Sequence, residues 1–446
     1  MTTRRNFLKN STMLAAGLGI SPLLASAAPT VSHKEETING RVNIAVIGVG
    51  MGCRDLQGAL TDNPWVHCVG MCDVNKVRLD EQIARFKKDF PNQTTSIKAY
   101  SDFREVLANK DIDGVIIATQ DHWHPYIFAE ALKAGKAIYV EKPVGNSIPE
   151  CHSMMDFQKK YKGVVTTGLW QTSQRYFLAA NEILKSGVLG DVYKVQLWLC
   201  QSTDPRPAVA DSPVPSTLDY NMWLGPAPER PFNNYRFRGW RGFWDYGGGQ
   251  QTDWGVHWID SAFDGLKALG LCDREYPEAV FSTAYKDPTS FNETPSCQTT
   301  IFQYKNFHIE WAQQVAHLYN RDQGVAWVGS KATLVCNREG YELIPEKNRE
   351  GELLTDRAQL VGKFEDGGIE AHATNWCKCI LNKSIETNSP IEKGAFATIL
   401  AHMANISYLT GTRVVYDPQA RKFVNNPKAD AYLKRSYRSP WQFPKV

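Results

Sequence analysis

Short apolar runs alternate with helical patterns from residue 42 onward, and that alternation predicts the fold. Val42, Ile44, Ala45, Val46 and Ile47 form an apolar run that stops at Gly48-Val49-Gly50-Met51-Gly52-Cys53-Arg54, and a helical pattern follows to Leu60. A second run over 65–72 ends at Asp73. Helical spacing over 75–88 and 102–108, a run over 114–118, a helix over 125–134 and a run over 137–140 continue the series. Strands separated by helices of this length are βα units, which build a doubly wound parallel sheet with helices on both faces.

Further along, Gly247-Gly248-Gly249 reads as a flexible turn, and from Asp253 the spacing of Val256, Ile259, Ala262, Phe263 and Leu266 suits a helix. Asp253 and His257 then stand four residues apart on one helical face. A carboxylate beside an imidazole fixes its tautomer and raises its basicity, which makes the pair a candidate site for proton transfer. A structural histidine with a helix-capping aspartate is the other reading of the same segment.

The glycine turn adds chemistry to the first half. Glycines between a strand and a helix let the backbone approach a pyrophosphate at the positive helix N-terminus. The third position of the fingerprint is Cys53, with Gly52 one place early. Asp73, about 20 residues beyond Gly50, is spaced to hold a ribose 2′-hydroxyl and would repel an added phosphate, so NAD is expected over NADP. Two further strand ends carry unusual residues, Thr119-Gln120-Asp121-His122-Trp123-His124-Pro125 and Glu141-Lys142-Pro143. His122 and His124 read either as a metal pair or as a loop packed on the cofactor; no third ligand is in sight, so no metal is expected. Lys142, at a buried strand end, is expected to face the cleft rather than serve as a surface cation.

Charge and the chain's start change the picture outside the sheet. Thr3-Arg4-Arg5-Asn6-Phe7-Leu8-Lys9 precedes an apolar run over 13–24 and then Ala25-Ser26-Ala27. The run is shorter than the roughly 18 residues a membrane span requires. The pattern is that of a twin-arginine export signal cleaved near Ala27, which places the mature protein in the periplasm without a membrane span. Cleavage takes away three of the 50 basic residues and none of the 47 acidic ones, leaving equal numbers. A neutral mature chain argues against a nucleic-acid partner. Ten cysteines in 446 residues, without paired metal-binding spacing, read as structural thiols.

Taken together, the exported start, the glycine turn with Asp73, the Asp121-to-Pro125 loop, Glu141-Lys142-Pro143 and the glycine-led Asp253/His257 segment resemble the Gfo/Idh/MocA oxidoreductases, the group of glucose-fructose oxidoreductase and inositol 2-dehydrogenase. Residues 215–228, 324–345 and 432–441 extend the resemblance over nearly the whole mature chain. It implies a signal over 1–27, a linker over 28–40, an NAD-binding Rossmann domain over 41–165, and over 166–446 an α/β domain with a large, mostly antiparallel open sheet. Strand-like stretches at 192–199, 278–284, 297–304 and 308–314, with helices at 369–381 and 394–409, are compatible with that sheet. The resemblance assigns the catalytic roles to Lys142, Asp253 and His257. His257 would act as base, Asp253 would orient it, and Lys142 would hold the reacting hydroxyl and the cofactor ribose. The expected cofactor contacts are Gly48, Gly50, Met51, Gly52, Asp73, Thr119, His122, His124, Glu141 and Lys142. The expected substrate contacts are Gln171, Arg241, Trp244, Asp253 and His257. Cys53 and Trp170-Gln171-Thr172-Ser173 depart from the family pattern.

Between residues 220 and 258 stand Trp223, Trp240, Trp244, Trp254 and Trp258, with Tyr220, Tyr235 and Tyr246 among them. Such a cluster reads either as a sugar-binding surface or as an aromatic core or dimer surface. Arg236, Arg238 and Arg241 in the same segment can hydrogen-bond sugar hydroxyls or acidic substituents. The expectation is an exported NAD-dependent oxidoreductase that acts on a sugar or glycoside and forms a homo-oligomer. The alternative is an NAD-dependent glycosidase like the α-N-acetylgalactosaminidases; a sugar- or nucleotide-binding protein without activity is the third reading.

Overall fold

The computed structural model describes residues 40–61, 63–91, 96–200, 207–314, 322–361 and 368–446. The export signal expected over 1–27 and all but the last residue of the linker lie outside these. The first domain is a six-stranded parallel sheet of β1 (Val42–Ile47), β2 (Val66–Cys72), β3 (Lys98–Tyr100), β4 (Gly114–Ile117), β5 (Ala137–Val140) and β6 (Val165–Thr167). Helices α1 (Gly52–Leu60), α2 (Lys76–Asp89), α3 (Phe103–Ala108), α4 (His124–Lys133) and α5 (Ile148–Tyr161) connect them. The order β3-β2-β1-β4-β5-β6 reverses direction between β1 and β4, the crevice where such sheets bind ligands. β4 and β5 are buried at every position, as a sheet covered on both faces requires. Two helix starts are fixed by side chains: Asn75 accepts from the Arg78 amide and Asp102 from the Arg104 amide.

The strand β6 straddles residue 165, and a late segment completes this domain. The helix Ile369–Asn382 packs on α1. A methyl group at Gly58 would lie 2.8 Å from Ile369 Cγ2, and one at Gly114 would lie 3.0 Å from Trp376, so both glycines permit that contact.

The second domain follows helix α6 (Arg175–Lys185). Its eight-stranded sheet consists of β7 (Val192–Cys200), β8 (Ala279–Tyr285), β9 (Cys297–Gln303), β10 (His308–Gln314), β11 (Gln323–Gly329), β12 (Ala332–Asn337), β13 (Gly340–Pro345) and β14 (Ala358–Val361). The order is β14-β13-β12-β11-β7-β10-β9-β8, antiparallel throughout except for the parallel pair β7–β10. Helices α6, α7 (Gly249–Asp253), α8 (Gly255–Ala268), α9 (Ile369–Asn382) and α10 (Ile391–Thr410) belong to this half of the chain. Of these, α6, α8 and α10 pack on one face of the sheet, and their apolar sides merge with the first domain into one core that runs from Ala45 and Ile117 to Trp258, Trp311 and Met403. The opposite face carries a small buried cluster of Trp198, Cys200, Ala312 and Ala326, and is exposed toward the edge strand, where Phe281 is 48% exposed.

None of the ten cysteines is in a disulfide, and nine of them are buried. Among the described residues no helix is long and apolar enough to cross a membrane, and no group of three or more His, Cys, Asp or Glu side chains is arranged to hold a metal ion.

Candidate active site

The cleft opens at the carboxyl ends of β1, β4 and β5. Its free space, including solvent at the mouth, is about 1160 Å³, and Gly48, Gly50, Met51, Asp73, Thr119, His124, Glu141, Lys142 and Arg241 are on its walls. The glycine turn is built for close approach. Gly48 has φ +92°, and a Cβ there would lie 2.5 Å from the Ala118 carbonyl oxygen, whereas a Cβ at Gly50 would meet nothing within 4 Å. Gly50 therefore leaves the backbone open on the side a pyrophosphate would occupy. Gly52 does the packing work expected of the third fingerprint glycine: a Cβ would come within 2.7 Å of Val46 Cγ1 and 2.9 Å of Ala118 Cβ. The helix can thus approach the sheet although Cys53 stands in the fingerprint position.

Asp73 sits at the end of β2 with Oδ2 accepting from the Val49 amide (3.1 Å) and Oδ1 from the Asn75 amide (2.9 Å). These bonds tie the carboxylate to the glycine turn while it remains on the cleft wall. Burial pushes its pKa above the usual carboxylate range, and the two amides oppose that shift. Gly48, Gly50 and Asp73 fit an NAD molecule: an open backbone for the pyrophosphate and an acid for the ribose hydroxyls.

Two histidines of the loop after β4 play parts the sequence left open. His124 directs Nδ1 at the Pro143 carbonyl (2.8 Å) and Nε2 at the Thr119 carbonyl (3.1 Å), bracing the loop against the strand that delivers Lys142. Burial pulls its pKa to about 4. His122 lies behind the cleft wall instead of on it, fully buried, with Nε2 on the Trp223 carbonyl (3.3 Å) and its ring against Tyr246. Its expected contact with the cofactor is not part of this arrangement.

At the end of β5, Lys142 turns inward, and its Nζ donates to Asp253 Oδ1 (2.6 Å) and to the Asp253 carbonyl (2.9 Å). Arg241 Nε forms a second ion pair with the same oxygen at 3.1 Å. Burial raises the Asp253 pKa, but the cations Lys142 and Arg241 outweigh it and hold the carboxyl well below the usual range. This corrects the expectation that Asp253 orients His257. The helix is interrupted at Trp254, between α7 and α8, so the spacing of four does not run through one continuous helix. Asp253 makes no hydrogen bond to His257; it clamps Lys142 and Arg241.

His257, in the first turn of α8, is 4% exposed and its Nδ1 is buried without a partner. Its ring meets the edges of Trp170 (6.3 Å between centroids) and Trp254 (6.4 Å). Burial, then the charges of Lys142, Arg338 and Arg54, push its pKa well below 6.5, so the ring is a free base at neutral pH.

Of the expected substrate contacts, Arg241 reaches the cleft and stacks on Trp240 at 4.2 Å. Gln171 is buried, its Nε2 donating to Ser261 Oγ (2.9 Å), and Ser261 Oγ in turn donates to the His257 carbonyl (3.0 Å). Trp244 is not on the cleft wall; its amide is held by Glu293 and its carbonyl by Asn146. Most of the aromatic segment is core: Trp223, Trp240, Phe243 and Tyr246 form one buried cluster.

Three residues of the site were given no role by the sequence. Arg54 ion-pairs with Asp55 (3.2 Å) and Glu141 (3.6 Å). Asp121 is buried on the cleft wall, where desolvation raises its pKa well above the usual range against the pull of Arg241. Arg338, in the two-residue turn between β12 and β13, donates from Nε (3.1 Å) and Nη2 (2.8 Å) to Gln171 Oε1.

A Rossmann sheet joined to an open, mostly antiparallel sheet, with Lys142 from the first domain in the grip of Asp253 from the second, defines a two-domain dinucleotide-binding protein with its polar site at the domain junction. Residues 42–169 match the oxidoreductase family, NAD-binding Rossmann fold, and residues 182–280 match the C-terminal alpha/beta domain of the same family. These matches span about half of the chain, and the chain belongs to the GFO/IDH/MocA oxidoreductase family. It is 26% identical over 204 residues to the alpha-N-acetylgalactosaminidase of Tannerella forsythia, covering 43% of each chain. It is 24% identical over 147 residues to the inositol 2-dehydrogenase of Salmonella typhimurium (strain LT2), covering 32% of this chain and 42% of the relative. The chain thus aligns with well under half the length of these curated relatives. In fold it superposes on levoglucosan dehydrogenase in complex with NADH and levoglucosan with a TM-score of 0.63 at 17% identity, over 84% of this chain and 99% of that one.

Proposed function

We propose that the protein is an exported, NAD-dependent dehydrogenase that oxidises a carbinol of a sugar or glycoside, carbon 3 of the ring being the expected position. The observation that carries this reading is the meeting of Lys142, on the wall of the cleft that Gly48, Asp73 and Thr119 line, with Asp253, close enough to His257 for the lysine's charge to act on the ring. NAD, held by the glycine turn and Asp73, supplies the hydride acceptor. Lys142 Nζ has two of its three protons on Asp253 and a third to offer the substrate hydroxyl, where its charge stabilises a developing alkoxide. His257, uncharged and without an internal partner at Nδ1, takes up the hydroxyl proton. Arg241 holds Asp253 from the other side, so that the carboxylate stays charged and Lys142 stays in place.

Export rests on the pattern of Arg4, Arg5, the apolar run and Ala25-Ser26-Ala27. The twin-arginine route moves folded proteins, so the cofactor travels bound and is recycled in place. The exposed Phe281 and Tyr285 on the edge strand of that sheet support a homo-oligomer. A second reading, a glycosidase that oxidises, eliminates and reduces again without net redox change, is favoured by the likeness to the alpha-N-acetylgalactosaminidase of Tannerella forsythia.

The test is mass spectrometry of protein purified from the periplasm for bound dinucleotide, followed by a glycoside panel scored for ketosugar and for released aglycone. Bound NAD with ketosugar upholds the dehydrogenase; released aglycone without accumulated ketosugar selects the glycosidase cycle. Absence of both products across the panel overturns the two together. Changing Arg4 and Arg5 to Lys is expected to retain precursor in the cytoplasm, and normal export of that variant refutes the route.

A further inference from the structure

The site holds a cation that no acid of the described residues pairs. Four cations converge on it, Arg54, Lys142, Arg241 and Arg338, and three are paired: Arg54 with Asp55 and Glu141, Lys142 and Arg241 with Asp253. Arg338 is different. Its Nε and Nη2 meet only the amide oxygen of Gln171, and among the described residues no carboxylate lies within ion-pair distance of it. A guanidinium that is largely enclosed and left without an acid is costly unless something else supplies the negative charge.

Its surroundings show where that charge would sit. The guanidinium carbon lies 4.7 Å from the ring centroid of Trp170 and 4.7 Å from that of Trp254, the same two rings whose edges flank His257. The group is fixed from several sides: Gln174 Nε2 donates to the Arg338 carbonyl (3.4 Å), and the next amide, of Glu339, donates to Asn337 Oδ1 (2.9 Å). Gln171 links it through Ser261 to the backbone of His257. With one edge of the fork on Gln171, the Nη1 side remains free, and a planar fork is the geometry that grips a carboxylate with two parallel bonds. None of Arg338, Trp170 and Trp254 is on the wall of the cofactor cleft; the two rings that meet the guanidinium also meet His257, which sets this cation beside the imidazole and away from the dinucleotide side.

We propose that Arg338 recognises an anionic substituent on the sugar, so that the substrates are acidic glycosides, uronates or sulfated sugars, rather than neutral ones. Assigning the anion to a sugar rests on the dehydrogenase reading above. Trp170 and Trp254 hold the guanidinium between them, and the anion is bound next to the carbinol that faces Lys142 and His257. Burial, then the charge of Arg54, lowers its pKa to about 10 against the pull of Asp253 and Glu141, which leaves it charged at neutral pH.

Two readouts on the purified, NAD-loaded protein test this. In the first, matched aryl glucoside, glucuronide and glucoside 6-sulfate are compared by cofactor reduction, wild type against Arg338→Met and Arg338→Lys. The wild type is expected to favour the charged substrates in kcat/KM by roughly 10- to 100-fold, the value of a hydrogen bond to a charged group. Arg338→Met should erase that preference through KM, bringing the charged-to-neutral ratio of kcat/KM to about one whatever the variant's overall rate, and Arg338→Lys should retain part of it. Preference for the glucuronide alone identifies a carboxylate; equal preference for both identifies the charge, and either upholds the inference. In the second, tryptophan fluorescence is titrated with glucuronic acid and with glucose, which needs no turnover. Quenching by glucuronic acid that Arg338→Met abolishes upholds the subsite even if no sugar reduces the cofactor, in which case the dehydrogenase reading alone falls. Equal affinity for both sugars, or an equal loss for neutral and charged ligands in Arg338→Met, overturns it.

Discussion

Replacing Asp253 by Asn keeps the side chain's size and removes the charge that faces Lys142 Nζ at 2.6 Å and Arg241 Nε at 3.1 Å. Two unit charges this close attract by about 6 kcal/mol at an effective dielectric of ~20, before desolvation offsets part of it. Lys142 and Asp253 are only 7% and 15% exposed, so solvent screens little, and removing one partner of a buried pair costs about 3–5 kcal/mol. Asp253→Asn also leaves two cations facing each other, so it should destabilise the protein more than Lys142→Met does. Guanidinium unfolding at neutral pH measures this difference. The pH dependence has a definite sign. The folded pKa of Asp253 lies below its unfolded value, so its stabilisation is complete above about pH 4 and is lost as pH falls toward the folded value. The gap between wild type and variant should therefore stay flat from about pH 8 to about pH 5 and close only in stronger acid. In catalysis, a double-mutant cycle on kcat/KM separates the two partners. Asp253→Asn and Lys142→Met should couple by more than about 1 kcal/mol, and Asp253→Asn and His257→Gln by no more than about 0.5 kcal/mol. A larger coupling to His257 than to Lys142 would refute the geometry described above and restore a carboxylate–histidine dyad.

Other outcomes follow from single groups. Asp73→Ala should weaken NAD binding roughly 10- to 100-fold and relax discrimination against NADP, as measured by calorimetric titration; tighter binding of NADP by the wild type would show that Asp73 does not face the ribose. His257→Ala should lose on the order of 10²- to 10⁴-fold in rate with NAD affinity unchanged, and a fully active variant would move the proton acceptor elsewhere. Burial lowers the pKa of His122 to about 3 and of His124, His372 and His402 to about 4. These rings are neutral in the fold, so the stability they allow is complete above about pH 6.5 and fades toward pH ~4 as the unfolded chain takes up protons the folded one refuses. Thermal scans between those values should show a steady fall, and a flat midpoint would contradict the neutral rings.

The first domain was legible because its signals are local. The apolar runs that became β1, β2, β4 and β5 end at Gly48, Asp73, Thr119 and Glu141, and the helices between them begin at caps such as Asn75 and Asp102. Strands β3 and β6 were missed because three residues are too few for a period to register. In the second domain β7 to β10 were visible as apolar or alternating stretches, whereas β11 to β14 carry a weaker pattern. Local spacing also misled once. Asp253 and His257 stand four apart, yet the break at Trp254 turns the carboxylate toward a lysine 111 residues earlier in the chain. No short-range rule contains that pairing, and none singles out Arg338 from the other arginines, because its role comes from the tryptophans that the fold brings to it.

The electrostatics of the site explain why the lysine and the histidine need different neighbours. A hydroxyl that loses a proton and a hydride must meet a donor that stabilises negative oxygen and an acceptor that removes the proton, side by side. Lys142 is kept in an ion pair by a carboxylate that Arg241 holds charged, so it can donate. His257 is given no carboxylate; burial and the surrounding cations keep its ring in the basic form, so it can accept. Had Asp253 paired with His257, the histidine would have drawn its proton more readily in the resting state and the lysine would have stood unopposed next to Arg241. Separating the two keeps the imidazole uncharged and the lysine in its ion pair before substrate arrives, which is what the proposed transfer of a proton in a fixed direction requires.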